Sequence, residues 1–271
     1  MRGNVLSGMR VKTFVIGYVL ALALLLFAQQ RRTDSPPASG FRGVVDLTHS
    51  VNAQVPTYEP SESSAFKAET VATIAKDKYF ARNISLPEHY STHIDAPAHF
   101  AQGMWTVDQI PAERLIAPLV VLDVRTSVKS NSDYQFSVAD VSAWEKANGE
   151  IPPGAVVIAY TGWDSRWSSA KQYRNADAKG VMHFPGYSED AAKFLVEARR
   201  VFGLGIDTLS IDYGPSQDFP VHQYTLSHSL YHLENVANLG VVPAKGATVV
   251  VAPMKLEGGS GGPVRILALV K

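Results

Sequence analysis

Between positions 89 and 99 the chain reads His89-Tyr90-Ser91-Thr92-His93-Ile94-Asp95-Ala96-Pro97-Ala98-His99, so three of its eight histidines and one aspartate share a single short segment. Neutral imidazole and carboxylate are the usual ligands of zinc and similar divalent ions. The chain contains no cysteine, so a metal site must be built from His, Asp and Glu, and thiol catalysis is excluded. His93 and Asp95 are two apart and point the same way on extended chain. His89 and His93 would lie about 13 Å apart if the chain between them were extended, so a turn must bring them together. Pro97 ends any regular ladder and re-aims His99. Three ligands, His89, His93 and Asp95, leave positions open for water and substrate, as a catalytic site requires. A bound cation lowers the pKa of water toward ~7. An unligated His99, with an ordinary pKa of ~6.5, can then accept the proton and pass it to a leaving nitrogen or oxygen. The rival reading makes His99 a fourth ligand that closes a purely structural site.

A second group lies at His222, His228, His232 and Glu234. The spacing of His228, His232 and Glu234 copies that of His89, His93 and Asp95, and residue types alone do not choose among these histidines. Two such groups would allow two ions bridged by a carboxylate, with Asp95 the natural bridge. His228 and His232 taken singly also read as exposed or helix-satisfied histidines. Gly258-Gly259-Ser260-Gly261-Gly262 matches the G-x-S-x-G pattern of serine hydrolases, but Pro263 and a terminal strand follow it and no histidine lies beyond His232. It reads as a tight glycine turn. Gly203-Leu204-Gly205 is half of a dinucleotide fingerprint and has Thr208 where the third glycine belongs.

The elements that must carry these groups are short. Leu119–Val124, Ala155–Tyr160, Thr248–Val251 and Ile266–Val270 are continuously apolar and read as buried strands. One helix is expected from Ser137, capped by its hydroxyl with Asp140 completing the box, to Asn148-Gly149. Another is expected from Ser188 to near Arg200. Strands outnumber helices and the two interleave, which gives a mixed α/β domain of residues 41–271. Residues 1–40 differ. Arg2, Arg10 and Lys12 precede an apolar run from Thr13 to Ala28, followed by Arg31, Arg32 and a Pro/Ser/Gly tether. This is the pattern of an export signal or membrane anchor, and a span needs about 20 apolar residues. It implies a periplasmic, extracellular or membrane-attached protein. Formal net charge is zero with no basic run in the body, so no nucleic-acid partner is expected.

The segment from His89 to His99 resembles the H-x-G-T-H-x-D-x-P-x-H motif of the cyclase-like metal hydrolases, which include bacterial kynurenine formamidases and isatin hydrolases. Further blocks are similar in order: Asp46-Leu47-Thr48, Pro56-Thr57-Tyr58, Thr161-Gly162-Trp163-Asp164, Gly205–Asp212, Glu234-Asn235-Val236 and Gly258–Arg265. The resemblance implies the family's swivelling β/β/α fold, usually in homo-oligomers, and His89, His93 and Asp95 as ligands of one zinc or manganese ion. It implies that a second ion, where present, is held by Asp95, His222 and Glu234. It also implies His99 as the proton-transferring residue and Tyr58 as the aromatic residue against the substrate. Ser91 stands where the motif has glycine, a position that can require φ > 0. The activity implied is hydrolysis of the C–N bond of a small aromatic amide or cyclic amide. The alternatives are a lactone or ester hydrolase and a metal-holding binding protein without turnover.

Overall fold

The computed structural model describes residues 40–59, 61 and 65–271. The expected signal or anchor lies outside these residues. Within them no helix is long and apolar enough to cross a membrane.

The chain runs through strands β1 (Gly43–Asp46), β2 (Lys67–Ala72), β3 (Ala81–Ser85), β4 (His93–Asp95), β5 (Ile116–Asp123), β6 (Gln135–Phe136), β7 (Val156–Tyr160), β8 (Gly186–Tyr187), β9 (Gly203–Ile206), β10 (Tyr231–Glu234), β11 (Thr248–Pro253) and β12 (Gly261–Val270). Helices α1 (Ile74–Asp77), α2 (Arg125–Val128), α3 (Val138–Asn148), α4 (Ala170–Arg174), α5 (Glu189–Glu197) and α6 (Pro220–Ser227) are interspersed. The main sheet has the order β1-β12-β11-β5-β7-β9-β10-β4, and β4 also pairs with β12. Seven strands therefore close into a ring, with β1 attached to its seam strand. β12 can serve three neighbours because it is long. Gly261–Pro263 pair with β4, Val264–Leu269 with β11, and Leu267–Val270 with β1.

The apolar runs of β5 and β7 form strands here because both their faces are covered. Leu119 and Val121 of β5, Val156 and Ile158 of β7, and Leu233 of β10 join one core with Val249, Val251 and Ile266. Their neighbours Val120, Leu122, Val157, Ala159, Leu204 and Ile206 pack in a second core with Val141 and Trp144 of α3 and with Ala191, Ala192 and Leu195 of α5. The result is the strand-rich mixed α/β architecture expected.

The capped helices form as their sequences require. Ser137 accepts from the Asp140 amide, and Asp140 accepts from the Ser137 amide. Ser188 caps α5 through the Ala191 amide. That helix stops at Glu197 rather than near Arg200, because Arg200 turns to φ +51° and leads into β9. β2 and β3 form a separate ribbon whose Val71, Ile74, Tyr79, Phe80 and Ile84 are exposed.

Candidate metal centre

β4 carries His93 and Asp95 on one face while Ile94 enters the core on the other. β10 pairs antiparallel beside it, with His232 opposite Asp95 and Glu234 opposite His93. Directly opposed residues have Cβ atoms roughly 5 Å apart, so this register alone collects four polar groups on one patch. α6 adds His222 from above. Its first turn is held by Asp212, which accepts from the amides of Val221 and His222. The required turn between His89 and His93 is present, and Ser91 sits in it at φ +60°, the left-handed region that its usual glycine occupies freely. Asn235 braces the turn by donating to the Ser91 carbonyl and accepting from the Tyr173 hydroxyl. Pro97–His99 forms a single 3₁₀ turn that swings His99 back over the site, its ring stacked on His89 at 3.9 Å.

Each of three histidines has its outer nitrogen committed to an oxygen. His93 Nδ1–H donates to the Ser91 carbonyl and His222 Nδ1–H to Asp212. The Ser260 hydroxyl donates to Glu88, so it can only accept from His89 Nε2–H. The inner nitrogens then face carboxylate oxygens: His89 Nδ1 lies 2.7 Å from Asp95 Oδ1, and His93 Nε2 lies 3.2 Å from Asp95 Oδ1 and 3.4 Å from Glu234 Oε2. His222 Nε2 lies 3.5 Å from Asp95 Oδ2 and 3.3 Å from Glu234 Oε1. Outer nitrogens fixed by second oxygens are the usual support of metal-binding imidazoles. Ligands at ~2.0–2.2 Å from one tetrahedral ion stand roughly 3.3–3.5 Å apart, close to most of these separations. Asp95 Oδ2 is buried without a hydrogen-bond partner. A buried anionic oxygen left bare is costly, and a cation is what satisfies it. The residues fit a divalent metal.

Without a metal, protons hold this charge. Burial opposes protonation of His93, but Asp95 and Glu234 raise its pKa to about 9. His222 is likewise raised against burial by Asp212, Asp95 and Glu234. Burial pushes the Asp95 pKa up, but His93 above all outweighs it and holds Asp95 well below the usual carboxylate range. A raised histidine pKa stabilises the metal-free fold below about pH 6.5, and that contribution is lost as pH rises through about 9. Cation binding must displace those protons. Affinity for a divalent ion is therefore expected to rise about tenfold per pH unit, per proton displaced, between pH 6 and 8. Competition titration against a chelator across that range checks this; a flat profile would show that no imidazole proton is displaced.

His99 differs from its sequence expectation. Burial lowers its pKa to about 4 rather than leaving it ordinary, so it is neutral at pH 7. His89, Asp95 and His99 also offer donor atoms within 4.8 Å of one another, as do Asp95, His222, His232 and Glu234. The structure separates the histidines that residue types could not. His228 is exposed and bonded to the Tyr224 carbonyl. His232 is fully buried against Asp95, with Nε2 bonded to Thr225 of α6, so the exposed reading fails for it. The signal was its two-residue spacing from Glu234, which on a strand means a shared face. Ser260, Glu88 and Asp212 were not singled out as site residues, since second-layer groups have no spacing rule. The glycine turn gains a purpose here. A Cβ on Gly261 would lie 2.4 Å from the Ile94 carbonyl oxygen and 2.7 Å from His89 Cε1. Gly261→Ala is expected to destabilise by about 1–3 kcal/mol and displace His89; thermal melts with and without metal would show it, and an unchanged metal-dependent shift would contradict the displacement.

The donors open onto a cavity of about 250 Å³ whose lining includes Tyr58, His99, Phe100, Leu209 and Phe219. Phe219 holds φ +49°, an uncommon conformation for a bulky residue, immediately before Pro220 of α6. Its ring stands 5.8 Å from Phe100 and 6.1 Å from Tyr58. Arg174 donates to the Thr57 and Tyr58 carbonyls and so fixes the loop that bears Tyr58.

Residues 45–213 match the family model described as "Putative cyclase". The isatin hydrolase of Roseibium aggregatum is 36% identical over 201 residues, covering 71% of this chain and 76% of that protein. The kynurenine formamidase of Salinibacter ruber is 25% identical over 183 residues, covering 68% and 76%. Among solved structures, isatin hydrolase A from Labrenzia aggregata bound to benzyl benzoate superposes with a TM-score of 0.79 at 33% identity, covering 84% of this chain and 93% of that one. The chain belongs to the cyclase family of metal-dependent hydrolases.

Proposed function

We propose that this protein hydrolyses the C–N bond of a small aromatic cyclic amide of the isatin type, with linear aryl formamides as the second substrate class. The observation that carries this is a buried His/Asp/Glu donor set opening on one side into a cavity walled by three aromatic rings. Likeness to an isatin hydrolase at 36% identity, against 25% for a formamidase, favours the cyclic substrate. The signal or anchor pattern expected in residues 1–40 agrees with this reading, since it would put hydrolysis outside the cytoplasm or at a membrane rather than in intracellular catabolism. The ribbon's exposed apolar side chains support a homo-oligomer.

His89, His93 and Asp95 would hold one divalent ion, zinc or manganese, and His222 and Glu234 would join Asp95 around a second. A divalent cation supplies polarisation of the scissile carbonyl and makes water a usable nucleophile near neutral pH. The protein does the rest. Tyr58, Phe100 and Phe219 pack against the flat substrate and exclude water. The Tyr58 phenol stays protonated, because burial and Glu234 raise its pKa, and is available as a donor. His99, neutral at pH 7, takes the proton from the attacking water and returns it to the departing nitrogen. A low pKa makes protonated His99 a strong acid for that second transfer. Purified protein is expected to turn over isatin faster than N-formylkynurenine when supplied with zinc or manganese, and to lose activity on chelation. Turnover of neither compound would end the substrate assignment while leaving the site in place.

A further inference from the structure

We infer that His232 is a protein donor to the downstream cation position, closing it with four protein atoms and leaving the upstream position as the one open to substrate. This rests on the metal reading above and extends it to a residue that reading does not use. His232 is fully buried, and its Nδ1 makes no hydrogen bond. The Thr225 hydroxyl has one hydrogen and gives it to the Val221 carbonyl at 2.6 Å. Thr225 can therefore only accept from His232 Nε2–H, which it meets at 2.6 Å. Nδ1 is thereby left as a bare lone pair. It faces Asp95 Oδ2, the other partnerless buried atom of the site, at 3.6 Å. Two acceptors that face each other across a gap too long for a hydrogen bond are satisfied together by a cation between them. This outer-nitrogen arrangement is the one already seen at His89, His93 and His222.

The carboxylates then divide cleanly. Asp95 Oδ1 and Glu234 Oε2 face the upstream imidazoles, and Asp95 Oδ2 and Glu234 Oε1 face His222, with His232 beside Asp95 Oδ2. Four protein donors complete a tetrahedral ion and exclude substrate; with Glu234 engaged downstream through Oε1, the upstream ion is held by His89, His93 and Asp95 and leaves room for it. The cavity that admits substrate is lined by His89, His93 and His99, and also by His222, but His232 does not line it.

The test uses metal-stripped full-length protein titrated with zinc against a competing chelator, with bound zinc counted per chain and thermal melts taken in parallel. His232→Leu removes the donor and also the bare buried acceptor, so its metal-free form is expected to melt no lower than wild type. Its second zinc equivalent should weaken by more than about 100-fold while the first is retained. Thr225→Val keeps the ring but frees it to turn, and should weaken that equivalent by roughly tenfold. Unchanged zinc affinities in His232→Leu overturn the inference, as does a lower metal-free melting temperature with metal uptake intact, which marks a packing role. Wild-type protein that takes up no zinc defeats the underlying metal reading instead.

Discussion

Asp95→Asn is expected to abolish metal retention and reduce hydrolysis by roughly 10³-fold or more. The reason is position. Its carboxylate contacts His89 and His93 through Oδ1 and lies against His222 and His232 through Oδ2, so both donor groups depend on it. Asparagine keeps the shape and removes the charge that attracts the cation. A ligand present at ~1,000 times its Kd stabilises by about 4.1 kcal/mol, so wild type should melt several degrees higher with metal than without. That gap should vanish in the variant. Melting curves and metal content measured on one preparation would decide it; a variant that still carries metal and gains stability from it would remove Asp95 from the centre of the site.

His99→Ala should behave oppositely with respect to metal. Loss of a positioned general acid–base costs about 10²–10⁴-fold in kcat. Metal content should be unchanged, because His93, Asp95, His222 and Glu234 meet one another without His99. Since burial lowers the His99 pKa to about 4, this residue becomes protonated only in acid. Activity lost between pH 7 and 5 in wild type should therefore follow protons returning to the ligand imidazoles, and extra metal should restore part of it. If the alanine variant loses its metal, His99 is a ligand and the closed-site reading prevails.

Local signals carried much of this structure. The runs that became β5 and β7 were legible because continuous apolarity marks a strand covered on both faces, and β11 because its run is β-branched, although only Val249 and Val251 of it are buried. α3 was legible because Ser137 and Asp140 form their capping box within four residues. β9 and β10 were less so. β9 contains Gly203 and Gly205, which look like a phosphate loop, yet a Cβ at Gly203 would strike the Tyr231 ring and one at Gly205 would crowd Ile158. Tyr231-His232-Leu233-Glu234 is wholly buried but half polar, because its polar face is the metal site rather than solvent. The pairing of Gly261–Pro263 with β4 joins segments far apart in sequence, and no local pattern announces it. The same non-local pairing put Ser260 beside His89, which residue spacing could not foretell.

The donor set joins chain positions 89–95 to positions 222–234, spanning β5, β7 and β9. A chain without cysteine has no disulfide with which to staple so long a loop, and closing a long loop restricts the unfolded ensemble most in the chain-entropy model. The ion therefore doubles as a removable cross-link. Chelation would take away catalysis and the staple together, leaving an enzyme whose lifetime depends on the metal supply around it.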